Sequence, residues 1–131
     1  MEERKIKFRA KDKETNQFVY GFLNFSVDCG IVRFCGYNIN SQIEKLTDCV
    51  QYTEVDDKNG IEIYEGDIVY GAVHWLERYI PAVAAFRNGS FGLLWHRGSI
   101  EEFNPFTSMC NVEYEVVGNI FDNKNLLEVK Q

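Results

Sequence analysis

Two Asn-Gly dipeptides, Asn59-Gly60 and Asn88-Gly89, constrain this chain more than any other feature of it. Both residues accept positive φ at low cost, which is what a tight turn between antiparallel strands requires. Each stands between apolar runs: Cys49 to Val55 and Ile61 to Tyr70 around the first, Val83–Arg87 and Ser90–Trp95 around the second. The second pair is the clearest hairpin signal in the chain. At the N-terminal end, Ile6, Phe8 and Ala10 alternate with Lys5, Lys7 and Arg9, the period of a half-buried strand. A polar turn over Lys11 to Gln17 and a strand over Phe18 to Phe25 complete an N-terminal β-hairpin. Further strands are expected over Ile31 to Tyr37 and Val112 to Phe121.

The fold class that follows is mainly β, a small antiparallel barrel-like fold with one or two short helices. Ser41-Gln42-Ile43-Glu44 has capping-box spacing, and Ile43 with Leu46 gives an apolar face, so a short helix is expected there. Residues 72–80 fit a helical stripe or an irregular loop, 98–110 read as a connection, and Asp122 to Gln131 as a short docked tail. At 131 residues, with no repeat or low-complexity tract, one domain is expected, with a seam near residues 38–48.

Ten Phe, seven Tyr and two Trp supply a β-rich core. The charged start Met1-Glu2-Glu3-Arg4-Lys5 is not a secretory leader, and the apolar stretch Ile80 to Phe86 is too short for a bilayer, so a cytoplasmic protein is expected. Net charge is −6, concentrated in residues 41–70, where two Lys/Arg face eight Asp/Glu. An acidic middle repels phosphate and disfavours non-specific duplex binding. The basic N-terminal strand reads as a solvated face or a charge-protected edge.

Chemistry-bearing residues are sparse. The cysteines at 29, 35, 49 and 110 lack C-x-x-C spacing, and His74 and His96 have no nucleophile or zinc-site partners in sequence. Asp57, Asn59 and Gly60 faintly suggest a calcium loop, but with Gly60 in sixth place Val55 and Gly66 occupy positions that need oxygen ligands. Glu65-Gly66-Asp67 reads as a bend, with Gly66 free to adopt an unusual backbone and the Asp67 carboxylate accepting backbone N–H groups. No phosphate-cradling motif occurs. No catalytic residue, metal ligand or cofactor is therefore assigned. The one candidate binding surface surrounds the second Asn-Gly turn: Arg87, Phe91, Trp95, His96 and Arg97, aromatics interleaved with bases.

Several stretches together carry a resemblance. Ile6-Lys7-Phe8-Arg9-Ala10-Lys11-Asp12, Gln51-Tyr52-Thr53, the run from Asp57-Lys58-Asn59-Gly60 through Glu65-Gly66-Asp67-Ile68-Val69, and Val117-Gly118-Asn119-Ile120-Phe121 resemble the YopX family of phage and prophage proteins, in the same order and across the chain. The chain departs from that pattern at Lys11, where Trp is usual, at Glu54, and at Lys124-Asn125. The resemblance implies a mainly β fold, a bacterial or phage cytoplasmic setting, and no catalytic residues to carry over. It makes Asn59, Gly60, Glu65, Gly66, Asp67, Gly118 and Asn119 a structural motif. A non-enzymatic module that binds a host or phage protein is the leading expectation. A nucleic-acid-binding barrel is the alternative, and self-association through an open sheet edge is also compatible with the sequence.

Overall fold

The computed structural model describes residues 6–26, 31–36, 39–42, 46–73, 79–97, 99–108 and 112–127. The described chain is almost entirely strand, and its contacts divide it into two units, Met1–Tyr52 and Thr53–Gln131.

The first unit carries β1 (Phe8–Asp12), β2 (Phe18–Ser26), β3 (Ile31–Gly36), β4 (Ile39–Gln42) and the start of β5 (Leu46–Asp56), in the order β4-β3-β2-β1-β5. The expected hairpin is there: Phe8 pairs with Gly21 and Lys11 with Phe18. Its turn is closed by the Asp12 carboxylate, which accepts the backbone N–H groups of Glu14 (2.8 Å) and Thr15 (3.2 Å), with Asn16 at φ 58°. On β5 an extra residue enters between the partners of Arg9 and Lys11, and Asp48 at φ 54° takes up that bulge. Ala10 and Leu46 form a small core with Phe8 and Val19 packed against them.

One expectation is corrected here. The basic N-terminal strand is solvated at Lys7 and Lys13 but not within β1, where Arg9 is 7% and Lys11 4% exposed. The reason is position, since β1 lies between β2 and β5 rather than at an edge. The alkyl stems are covered and the charged ends sit over ring faces, Arg9 4.3 Å and Lys11 5.1 Å from the centroid of Phe18. The helix expected from Ser41 falls largely outside the described residues. Ser41 and Gln42 belong to β4 and Leu46 starts β5, with residues 43–45 outside the described residues. The first two residues of the capping pattern are held in strand pairing, Arg33 with Gln42 and Phe34 with Ser41.

The second unit holds the end of β5, with β6 (Glu62–Tyr64) beside it, and an antiparallel sheet ordered β10-β9-β8-β7-β11. Its strands are β7 (Asp67–Val73), β8 (Tyr79–Arg87), β9 (Ser90–Arg97), β10 (Ile100–Pro105) and β11 (Val112–Asn119). Both sheets are open, so the antiparallel β class stands while the barrel does not close. The segment expected as a connection contains β10, fully paired with β9 from Ile100–Arg97 to Pro105–Gly92. Helical structure among the described residues is limited to two 3-10 turns, Phe106–Ser108 and Lys124–Leu127. Of the ambiguous 72–80 stretch, residues 74–78 lie outside the described residues, His74 among them. The core is Ile63, Val69, Ala82, Ala84 and Leu93, at 0–1% exposure. Trp95, Phe106, Tyr114 and Val116 pack against it, Phe106 meeting Tyr114 edge-to-face at 5.3 Å. No described helix is long and apolar enough to cross a membrane.

Candidate functional site

The central polar stretch is built around Asp57. Its side chain is 6% exposed. One carboxylate oxygen accepts the N–H groups of Asn59 (2.8 Å) and Ile61 (2.9 Å), and the other accepts that of Val116 on β11 (3.1 Å). Lys58 N–H reaches the Tyr114 carbonyl at 2.9 Å. Outward-facing backbone groups of edge strand β11 are thereby satisfied by the turn. Burial alone would raise the Asp57 pKa; the Val116, Ile61 and Asn59 N–H groups and nearby Lys58 outweigh it and hold the carboxyl below its ordinary 3.8. Gly60 completes the turn at φ 78°, its N–H on the Asp57 carbonyl at 3.0 Å.

The Glu65-Gly66-Asp67 bend is of the same kind. Asp67 is 1% exposed, and its carboxylate accepts the Tyr64 N–H at 2.8 Å. Gly66, at φ 87°, donates its N–H to the Ala84 carbonyl and accepts the Ile120 N–H, each at 2.8 Å. A Cβ at Gly66 would stand 3.0 Å from the Phe121 ring. The bend is therefore docked on the Gly118–Phe121 block, which is far away in sequence. There Asn119 closes the following turn, accepting the Phe121 (3.0 Å) and Asp122 (2.9 Å) N–H groups. A Cβ at Gly118 would meet Asn123 Oδ1 at 2.7 Å and Leu126 Cδ1 at 2.9 Å. Glu65 sits in the bend itself, half-buried. Thr53, buried, donates its hydroxyl to the Ile63 carbonyl at 2.7 Å and ties β5 to β6.

The candidate binding surface divides by strand alternation. Around Asn88 (φ 51°) and Gly89 (φ 82°), Arg87 pairs with Ser90 and Phe86 with Phe91. Phe86, Phe91 and Trp95 lie on the face that carries Ala84 and Leu93. Trp95 is packed against the core, its indole N–H buried without an acceptor among the described residues. Phe86 and Phe91 continue that face past the core, rings 4.9 Å apart and edge-to-face, with Phe86 51% exposed. Arg87 and His96 lie on the opposite face, Arg87 ion-paired with Glu101 at 2.7 Å. His96 is exposed, and the side chain of Arg97 lies outside the described residues.

Among the described residues no group of three His, Cys, Asp or Glu side chains is placed to hold a metal. Cys49 is exposed; Cys29 and Cys110 lie outside the described residues, as does the side chain of Cys35. The functional signal missed in sequence is the Val116 contact of Asp57, 59 residues away, for which no local pattern exists.

Comparison with known proteins agrees with this architecture. The family model described as YopX protein matches residues 7–128. The crystal structure of protein EF1440 from Enterococcus faecalis is similar at a TM-score of 0.58 and 22% identity, covering 94% of this chain and 98% of that one. That of protein yopX from Bacillus subtilis is similar at 0.60 and 17% identity, covering 93% and 98%. At those identities the structures speak for the fold. No curated protein matches the sequence.

Proposed function

This chain belongs to the YopX family, and on that footing we propose that it is a protein-binding module without catalytic chemistry, working in a phage or prophage setting in the bacterial cytoplasm. The observation that carries this reading is the Phe86–Phe91 pair at the end of the β8–β9 hairpin. Two aromatic rings in edge-to-face contact, one of them half exposed, stand on a turn whose backbone is tightly closed. Rigid, partly exposed aromatics are the side chains that dominate binding energy when a partner covers them. The polar residues of the central stretch support the reading from the other side. The Asp57 and Asp67 carboxylates are occupied by backbone N–H groups and are not presented to a substrate. The net charge of −6 works against nucleic acid as the partner.

The test is capture of a host or phage protein from lysate by the wild-type chain and by Phe86→Ala. A stoichiometric partner is expected with the wild type and is expected to be lost with the variant, whose amide spectrum stays folded. No stoichiometric partner, or one indifferent to Phe86→Ala, contradicts the reading. Fluorescence anisotropy with single-stranded and duplex oligonucleotides at low salt is expected to show no binding.

A further inference from the structure

We propose that the outer edge of β10 accepts an extended strand from another protein, in which an apolar residue is followed by a lysine or arginine. This rests on the reading of the chain as a protein-binding module, but it uses a different surface from the Phe86–Phe91 tip.

The two edges of the second unit's sheet are unlike. Edge strand β11 is closed by Asp57 and Lys58, which bond to Val116 and Tyr114. Edge strand β10 has a strand on one side only among the described residues. Its hydrogen-bonding pattern follows from register. Arg97 pairs with Ile100 across a two-residue connection, so that closing pair exchanges its N–H and C=O groups inside the hairpin. Alternation then assigns Glu102 and Asn104 inward and leaves the N–H and C=O groups of Glu101 and Phe103 pointing out. Pro105, which has no N–H, falls on an outward position and ends the usable edge.

The side chains define the occupant. A strand pairing antiparallel with Glu101 and Phe103 places one residue beside Phe103, whose ring lies over Gly92 on that face. An apolar residue fits there. Its next residue falls directly opposite Glu102, which is exposed, and the close spacing of that pair favours a cation. Glu101 already holds Arg87 and makes a weaker demand. A second copy of the chain is a poor occupant. A two-fold axis at Glu102 sets the two Glu102 carboxylates against each other, and one at Phe103 sets Glu101 against Pro105, which cannot return an N–H.

The probe is a capped heptapeptide alternating valine and lysine, with a valine–glutamate heptapeptide as control, added to the full-length chain while amide exchange is followed by NMR. The lysine peptide is expected to slow exchange at Glu101 and Phe103, and the glutamate peptide is not. Glu102→Lys, a surface change, is expected to weaken the lysine peptide about five-fold and to reverse the preference. Phe86→Ala is expected to leave the peptide effect intact. The proposal is overturned if neither peptide protects those two amides, if both do so equally, or if they become protected without peptide as a dimer forms. Peptide failure alongside Phe86-dependent capture removes the edge proposal alone; peptide binding without any captured partner removes only the tip.

Discussion

The two Asn-Gly turns of this chain share a dipeptide and a glycine at φ near +80°, yet Asn88 (φ 51°) and not Asn59 adopts positive φ, and the turns are held by different means. At Asn59-Gly60, an aspartate two residues upstream gathers three N–H groups and joins the turn to β11. At Asn88-Gly89, the turn is closed by the pairing of its own strands, and Phe86 and Arg87 beside it are exposed. The dipeptide sets where the chain reverses; the neighbouring side chains decide whether the reversal is anchored or presented. An anchored turn contributes to stability, whereas a presented one is available for contact.

Substitutions at the two turns should differ accordingly. The largest effect is expected from Asp57→Ala, which strands three donors at a nearly buried position; a loss of about 3 kcal/mol in denaturant unfolding follows from charge-assisted bonds of this kind. Asp57→Asn sharpens the point. Its amide oxygen can keep the Asn59 and Ile61 bonds, but its NH2 then faces the Val116 N–H, so exchange at Val116 rises while the turn persists. The next effect is in pH. Asp57 is lowered below 3.8 in the fold, so its contribution is complete above that ordinary value and is lost as pH falls through the lowered one. The acid limb of an unfolding titration is therefore expected to be shallower in Asp57→Asn, and an unchanged limb would count against the assignment. Smaller still, Gly60→Ala and Gly89→Ala should cost alike, about 1 kcal/mol each, because both have φ near +80° and neither Cβ would meet anything within 4 Å. A much larger cost at either would mean that the glycine, not the carboxylate, distinguishes the turns. Least of all, Arg87→Ala is expected to shift stability by about 0.5 kcal/mol or less, since its ion pair with Glu101 is 46% and 42% exposed.

How much of this could be read beforehand depended on whether the cause was local. The N-terminal hairpin, both Asn-Gly turns and the Gly66 bend are specified by residues within a few positions of each other, and they were legible. Strand order was not. Alternation places Lys5, Lys7 and Arg9 on one face and leaves Lys11 to the following turn, but it cannot show β2 and β5 on either side of β1, so the burial of Arg9 and Lys11 is not visible in sequence. The capping pattern at Ser41 is local, whereas the pairing of Ser41 and Gln42 with β3 is not, and only the first is visible in sequence. In β10, Glu101, Glu102, Asn104 and Pro105 hid a strand, because an edge tolerates charge and proline where an interior strand does not. The candidate surface was read as a run, and alternation split that run between two faces.

Amide hydrogen exchange on the wild-type chain tests most directly whether its central carboxylates are committed to the backbone. The Asn59, Ile61 and Val116 amides, all bonded to Asp57, should exchange orders of magnitude more slowly than that of Gly89, which has no such acceptor among the described residues. Equal exchange at Val116 and Gly89 would mean that Asp57 is free of its backbone partners and open to chemistry.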